Sequence, residues 1–222
     1  MHRWTACVNG WPPRCGADVA EQPPGGLGRW FDLPVAGAVL ILGAPLWLGL
    51  ALAIRLTSPG PVLHRARRSG RGGEPFEMLK FRSMRLDHGT GITAYGDPRI
   101  TPVGRFLRTS KLDEVPQLIN VLRGEMAIVG PRPEDPRYVD RDDPLHAFVL
   151  RSLPGLTSRA SVDYRHEEQI LAGIDDVEAV YRSEVLPSKL RIDAAWVQTR
   201  TVRSDLRIIA DTVLAIARSH DR

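Results

Sequence analysis

Cysteine is nearly missing from this chain: its 222 residues contain two, Cys7 and Cys15, both in an opening stretch rich in Gly and Pro. That excludes a disulfide framework and a four-cysteine zinc site. Lysine is almost as scarce. Only Lys80, Lys111 and Lys189 occur among 30 basic residues, so arginine, whose planar fork suits phosphate and carboxylate, carries nearly all the positive charge. Aromatic residues make up 6% of the chain and show no stacking pattern among the basic residues, which argues against nucleic acid as partner. The six histidines (His2, His64, His88, His146, His166, His220) lack metal-ligand spacing and read as surface residues. There is no Walker loop, dinucleotide fingerprint or zinc pattern, and no internal repeat of a solenoid. A second long hydrophobic run is absent as well, which excludes a multi-span membrane protein.

What is present is ordinary for one folded domain: 43% apolar residues, 25% charged residues and a net charge of +4, enough to bury a core. Residues 1–29 hold nine Gly or Pro and no apolar run, so they read as a flexible leader without a secretory signal.

From Leu33 to Ile54 the chain runs 22 residues without a charge, about 33 Å of helix, which is enough to cross a bilayer. Pro45, preceded by Ala44, sits near its middle; a proline there removes one ladder hydrogen bond and bends the helix. Trp30 and Phe31 at one end and Arg55 at the other are placed as interfacial anchors. The alternative is a buried core helix, which seldom runs so far without a polar face.

Beyond Ser58-Pro59-Gly60-Pro61 the composition turns basic. Val62–Arg67 and Phe76–Arg82 read as two strands of a hairpin with a glycine-rich loop, and a period of two puts Lys80 and Arg82 on one face. Residues 64–82 alone carry six Arg or Lys against two Glu. Leu118, Ile119 and Leu122 mark a short helix with Pro116 in its first turn and Gly124 as its stop. At the far end Leu206, Ile209, Val213 and Ile216 recur at helical spacing, as expected of a helix that packs on the core or lies on a membrane. Asp142-Asp143 and Asp175-Asp176 read as solvated or helix-start acids.

Asp113 and Glu114 are the residues most suited to chemistry. They open the short helix, with Arg99, Arg105, Arg108 and Lys111 in the fifteen residues before them. Neighbouring carboxylates repel, so one can stay ionised beside a cation while the other titrates differently, a pairing that suits a nucleophile beside a metal ligand or base. A helix-dipole device is the plain alternative. Farther on, the apolar stretch Met126–Val129 leads into Arg132, fixed between Pro131 and Pro133, and a guanidinium held so rigidly makes a good phosphate clamp.

These blocks stand in one order: Arg29-Trp30-Phe31-Asp32, the proline-interrupted helix, Ser58-Pro59-Gly60-Pro61, Lys80-Phe81-Arg82-Ser83-Met84, Gly96-Asp97-Pro98-Arg99, Val103-Gly104-Arg105-Phe106-Leu107-Arg108, Leu112-Asp113-Glu114-Val115-Pro116-Gln117-Leu118, Asn120-Val121-Leu122-Arg123-Gly124, Val129-Gly130-Pro131-Arg132-Pro133 and Pro154-Gly155-Leu156-Thr157. In that order the chain closely resembles the bacterial sugar transferases, or monotopic phosphoglycosyl transferases, over residues 29–210. The resemblance implies transfer of a sugar 1-phosphate from a UDP-sugar to a polyprenyl phosphate, with release of UMP and with magnesium. It implies Asp113 as the nucleophile and Glu114 as its partner, both beside the metal. Arg108 and Arg132 then correspond to phosphate-binding arginines, with Lys80 and Arg82 as supporting cations. Asp193 corresponds to a further acid near the active site, although its spacing from Lys189 favours a surface ion pair. Two departures stand out: Ala44-Pro45 replaces the family's usual Ser-Pro at the helix break, and Ser158, Arg159, Ala160 and Ser161 replace its usual Gly and Gln after Thr157.

The expected fold is therefore a helix-rich α+β class: a leader (1–29), a re-entrant membrane helix (30–57), and a catalytic domain (58–222) with a small β-hairpin and amphipathic interfacial helices. It would face the cytoplasm from the inner membrane. Its partners would be a UDP-sugar, a polyprenyl phosphate and membrane lipids, with a homodimer left open. The rival expectation is a membrane-tethered, non-catalytic module whose basic hairpin binds nucleic acid or acidic lipid.

Overall fold

The computed structural model describes residues 25–85, 97–171, 173, 174 and 176–219. Cys7, Cys15, His2, His88, His220, Gly96, Asp175 and most of the leader lie outside the described residues.

The uncharged segment forms two helices, α1 (Arg29–Leu42) and α2 (Ala44–Thr57), bent by 64° at Gly43. Pro45 has no N–H for the Ile41 carbonyl, so the ladder breaks at this point. Trp47 folds its indole over Gly43, where an added Cβ would come within 2.4 Å of the ring, and donates Nε1–H to the Val39 carbonyl at 3.2 Å. Among the described residues no single helix is long and apolar enough to cross a membrane; this bent pair meets the length and composition together. Most of its apolar side chains are exposed, with Ile41 at 75% and Leu42 at 82%. A core helix would bury them, so that reading falls.

Strands β1 (Leu63–Ser69) and β2 (Pro75–Phe81) pair antiparallel, with His64 opposite Lys80 and Arg65 opposite Leu79. A short 3-10 turn at Arg71–Gly73 closes the hairpin. Next come α3 (Pro102–Thr109), capped by the Thr101 side chain accepting from Gly104 N–H at 2.9 Å, and α4 (Gln117–Arg123), which Gly124 ends at φ 83°. A left-handed residue at that position is what glycine supplies most easily.

Strands β3 (Ala127–Val129) and β4 (Gly155–Thr157) pair in parallel. They cross so closely that a Cβ on Gly155 would lie 2.1 Å from the Gly130 nitrogen. Helix α5 (Pro144–Val149) lies between them in sequence, with Asp143 as its cap. The rest is helical: α6 (Arg159–Asp163), α7 (Glu167–Ile170), α8 (Val177–Val180), a π-type turn at Tyr181–Val185, α9 (Leu186–Gln198) and α10 (Val202–Ser219). The class is thus a helix-rich α+β fold with a small β-hairpin.

Three apolar clusters hold these elements. Met78, Leu118, Val121, Met126, Val129, Trp196 and Ile208 join β2, α4, β3, α9 and α10. Tyr138, Val149, Tyr181, Leu186 and Leu190 join α5 to α9, and Ile54, Phe81 and Leu107 fasten α2 to β2 and α3. In α10 the sequence stripe is the core face only in part: Ile209 packs against the first cluster, whereas Leu206 and Val213 are exposed and the fully buried residues are Asp205 and Ile208. His146 also departs from the surface reading, because α5 packs it into the second cluster at 6% exposure; His64 and His166 are exposed.

The chain before α1 is tied down by charge. Asp205 and Arg200 are buried as a pair at 2.9 Å, Leu27 donates its N–H to Asp205 at 2.8 Å, and Arg200 donates to the Leu27 and Val129 carbonyls. The packed part of the chain thus begins ahead of residue 30. Removing one member of such a pair leaves a buried charge without compensation. Asp205→Ala is therefore expected to lower unfolding stability by about 3–5 kcal/mol, seen as a fall in melting temperature; an unchanged melt would show the pair to be dispensable.

Candidate active site

Three separate elements converge on one carboxylate. After α3 the chain reverses at Lys111, the one described non-glycine residue with positive φ, at 57°. Such a conformation is costly for a side-chain-bearing residue and is tolerated where the surroundings enforce it. A single 3-10 turn, Leu112–Glu114, follows directly. Asp113 and Glu114 therefore sit in a turn of their own before α4, rather than in its first turn as the sequence suggested. Pro116 explains the difference, since it lacks an N–H and ends the tighter turn before regular α-helix begins.

Glu114 Oε1 accepts from Lys80 Nζ at 3.1 Å and from Arg132 Nη2 at 2.7 Å. Lys80 comes from β2, and Arg132 comes from the segment leaving β3. Burial by itself would raise the pKa of Glu114, but the Arg132 and Lys80 charges outweigh it and hold the carboxyl well below its usual range. Glu114 in turn strengthens the hold of Arg132 on its proton. Asp113 goes the other way: burial and the adjacent Glu114 charge push its pKa up, against Lys80, Lys111 and Arg108. The two carboxylates are thus driven apart, leaving Asp113 the more basic and so the better nucleophile once ionised.

The structure brings together Asp113, Glu114, Lys80 and Arg132, and Arg108, in the last turn of α3, adds its charge to the field at Asp113. Arg82 stands apart. Strand β2 ends at Phe81, and the buried Arg82 guanidinium donates to the Pro59 carbonyl at 2.8 Å and the Ser58 carbonyl at 2.5 Å, fastening the end of α2.

Asp193 is a correction to the surface ion pair. It is buried, accepts from the Ala160 N–H at 3.2 Å, and holds the start of α6. Lys189, its expected partner, donates instead to Glu134 at 3.1 Å and pairs with Glu167 at 3.0 Å. The reason is that α9 turns this whole face, with Leu190 and Ala194, into the core.

Sequence reasoning passed over the residues that hold the clamp in place. Glu134 accepts from Tyr181 Oη at 2.8 Å as well as from Lys189, while Ser69 N–H donates to its carbonyl at 2.9 Å. Asn120 fastens α4 to β2: its Oδ1 accepts from Leu79 N–H at 3.0 Å, and its Nδ2 donates to the Glu77 carbonyl and to Glu125, each at 2.7 Å. The available signals were a lone Asn in an apolar helix and the scarcity of lysine, since two of the three lysines, Lys80 and Lys189, are paired to largely buried carboxylates.

Among the described residues no group of three or more His, Cys, Asp or Glu is placed to hold a metal ion. Two adjacent carboxylates, Asp113 and Glu114, are oxygen donors of the kind that suits magnesium. That ion is commonly held by one or two carboxylates together with substrate phosphates rather than by a cage made only of protein.

A split acidic pair in a nest of cations, next to an arginine locked by prolines, has the chemistry that an enzyme site for a phosphate-bearing substrate needs. The sequence pattern of the family described as bacterial sugar transferase matches residues 25–219, and the chain belongs to that family. It is 39% identical over 207 residues to the UDP-glucose:undecaprenyl-phosphate glucose-1-phosphate transferase of Caulobacter vibrioides, covering 90% of this chain and 71% of the relative. The Escherichia coli protein of the same name is 36% identical over 194 residues, and there the match spans 84% of this chain but 39% of the relative. The exopolysaccharide production protein ExoY of Rhizobium meliloti is 34% identical over 220 residues, covering 90% of both chains.

Burial raises the Asp193 pKa from an ordinary 3.8 to about 6. A carboxyl raised on folding stabilises fully below its unfolded pKa and loses that contribution as pH climbs through the folded value. Wild type should therefore lose about 3 kcal/mol relative to Asp193→Asn between pH 4 and pH 7. Parallel melting curves for the two proteins across that range would refute the burial effect.

Proposed function

We propose that the chain transfers a sugar 1-phosphate from a UDP-sugar to a polyprenyl phosphate, releasing UMP, as the first membrane step in building a polysaccharide or glycoconjugate. The observation that carries this reading is the cation-held Glu114 beside the more basic Asp113. The names of the relatives, UDP-glucose:undecaprenyl-phosphate glucose-1-phosphate transferase and exopolysaccharide production protein, support it.

In the first half-reaction an Asp113 carboxylate oxygen attacks the phosphorus that bears the sugar. The bond from that phosphorus to the UMP oxygen breaks, and UMP leaves with the electron pair. In the second, an oxygen of the polyprenyl phosphate attacks the same phosphorus and frees the Asp113 carboxylate. Lys80, Arg108 and Arg132 meet the phosphate charge, which would otherwise repel the nucleophile. Bound through Asp113 and Glu114, magnesium would neutralise charge on the diphosphate.

The lipid substrate calls for a site at a membrane, and the exposed apolar surface of the bent α1–α2 pair supplies the anchor. A 64° bend with Trp47 covering the break suits a re-entrant hairpin whose two ends return to the cytoplasmic face of the inner membrane. Arg65 and Arg67, exposed on β1, fit anionic headgroups. Residues Ser158–Ser161 depart from the usual family sequence, so the choice of sugar is assigned to this chain's own residues rather than to its relatives.

UMP release from UDP-glucose, UDP-galactose and UDP-N-acetylgalactosamine, with and without undecaprenyl phosphate, is the deciding assay. Asp113→Asn should fall below about a thousandth of wild-type turnover while its melting temperature holds, and EDTA should silence the wild type. A tenth of wild-type activity left in either case would remove the scheme.

Topology has its own test. With Cys7 and Cys15 before the hydrophobic segment and Arg218→Cys placed after it, an impermeant maleimide should label both sides only in inverted vesicles. Labelling from opposite sides would establish a spanning helix.

A further inference from the structure

Residues 112 to 123 form one continuous right-handed segment. Val115 and Pro116, at φ −54° and −59°, link the 3-10 turn of the acidic pair to α4 with right-handed backbone throughout, although they belong to neither. Hydrogen bonds from Val115 N–H to the Leu112 carbonyl and from Leu118 N–H to the Val115 carbonyl run across the junction. Asp113 and Gln117 stand four residues apart on this segment, a little more than one turn at its 3-10 pitch, with both side chains buried.

Both are buried, Asp113 at 8% exposure and Gln117 at 1%. Asp113 Oδ1 is an acceptor with no partner, and Gln117 Nε2 is a donor with no partner, among the described residues. A buried polar atom left unpaired costs about 1–3 kcal/mol. The same helix satisfies Asn120 three times over, so the unpaired amide one turn earlier is not a sign of loose packing. An inward-facing acceptor and an inward-facing donor at this spacing complement each other.

We infer that Gln117 is a positioning residue for the nucleophile: its Nε2–H donates to Asp113 Oδ1 in the reacting enzyme and leaves Oδ2 as the oxygen that attacks phosphorus. The bond serves both half-reactions. Oδ1 is a carboxylate oxygen before attack and the carbonyl oxygen of the mixed anhydride after it, and it accepts in either state. At 1% exposure Gln117 acts through Asp113 and not on the substrate itself. Its effect lies in the orientation of the carboxylate, and it therefore acts on kcat rather than on substrate affinity. This assignment rests on Asp113 as nucleophile, the reading given above.

The test uses the full chain in detergent with magnesium, with whichever of the three UDP-sugars gives UMP with wild type. Single-turnover UMP release without lipid phosphate isolates the step in which Asp113 attacks. Gln117→Met, which keeps volume and removes the donor, should slow this step about 10- to 100-fold with the half-saturating UDP-sugar concentration unchanged within about two-fold. Gln117→Leu, which also lacks the donor, should show the same kcat loss and serves should the methionine variant not fold. A packing role alone would lower the melting temperature and leave the rate of the folded protein intact. That outcome, or a loss confined to substrate affinity, overturns the assignment. Asp113→Asn run alongside separates the two failures: an active Asp113→Asn removes the nucleophile reading itself, whereas a dead Asp113→Asn with a fast Gln117→Met removes only the role of Gln117.

Discussion

Glu114 held between Lys80 and Arg132 is the contact on which the site depends. A carboxylate this buried is tolerable only because two cations reach the same oxygen, at 3.1 and 2.7 Å. Each partner comes from a different part of the chain, so the contact forms only when the hairpin, the acidic turn and the β3 exit are all in place. The ion pairs set the electrostatics as well, since the ionised Glu114 raises the basicity of its neighbour Asp113. Scaffold and chemistry thus share one interaction.

Around it, polar side chains join the elements through backbone atoms. Asn120 fastens α4 to β2. Glu134, held by Tyr181 and Lys189, fixes the far side of the Pro131–Pro133 segment, and its position two residues from Arg132 limits where that guanidinium can point. Close approach of β3 and β4 at Gly130 and Gly155 fixes the near side. An arginine flanked by prolines and anchored at both ends would lose little further freedom on meeting an anion, which is how a rigid clamp gains strength over a mobile one.

The apolar pair α1–α2 is bolted to the same scaffold. Arg29 donates to the Val121 and Leu122 carbonyls at the end of α4, Asp32 accepts from Ile128 N–H at 3.2 Å, and Arg82 holds the last turn of α2. A helix pair tied to the two elements that carry Lys80 and the acidic turn sets the depth of the site relative to any surface the pair enters. Attachment by side-chain-to-backbone bonds leaves the outward apolar faces free.

Much of this was legible in the sequence by itself. The uncharged run with its proline, the alternation around Lys80, the Pro116 and Gly124 limits of α4 and the proline-flanked Arg132 are local signals, and local backbone preferences obey them. The acidic pair was legible as chemistry, since adjacent carboxylates with four preceding cations invite a split in basicity. Tertiary structure decided which cations serve it. Period two placed Lys80 and Arg82 on one face, but β2 stops at Phe81 and Arg82 turns to the Ser58 and Pro59 carbonyls. Spacing offered Lys189 to Asp193, yet burial of the α9 face gave Lys189 to Glu134 and left Asp193 to the Ala160 amide. His146 and the true core line of α10 were hidden for the same reason. Helical periodicity names a face, whereas the partner that covers it comes from residues far away in the chain, and only packing chooses among them.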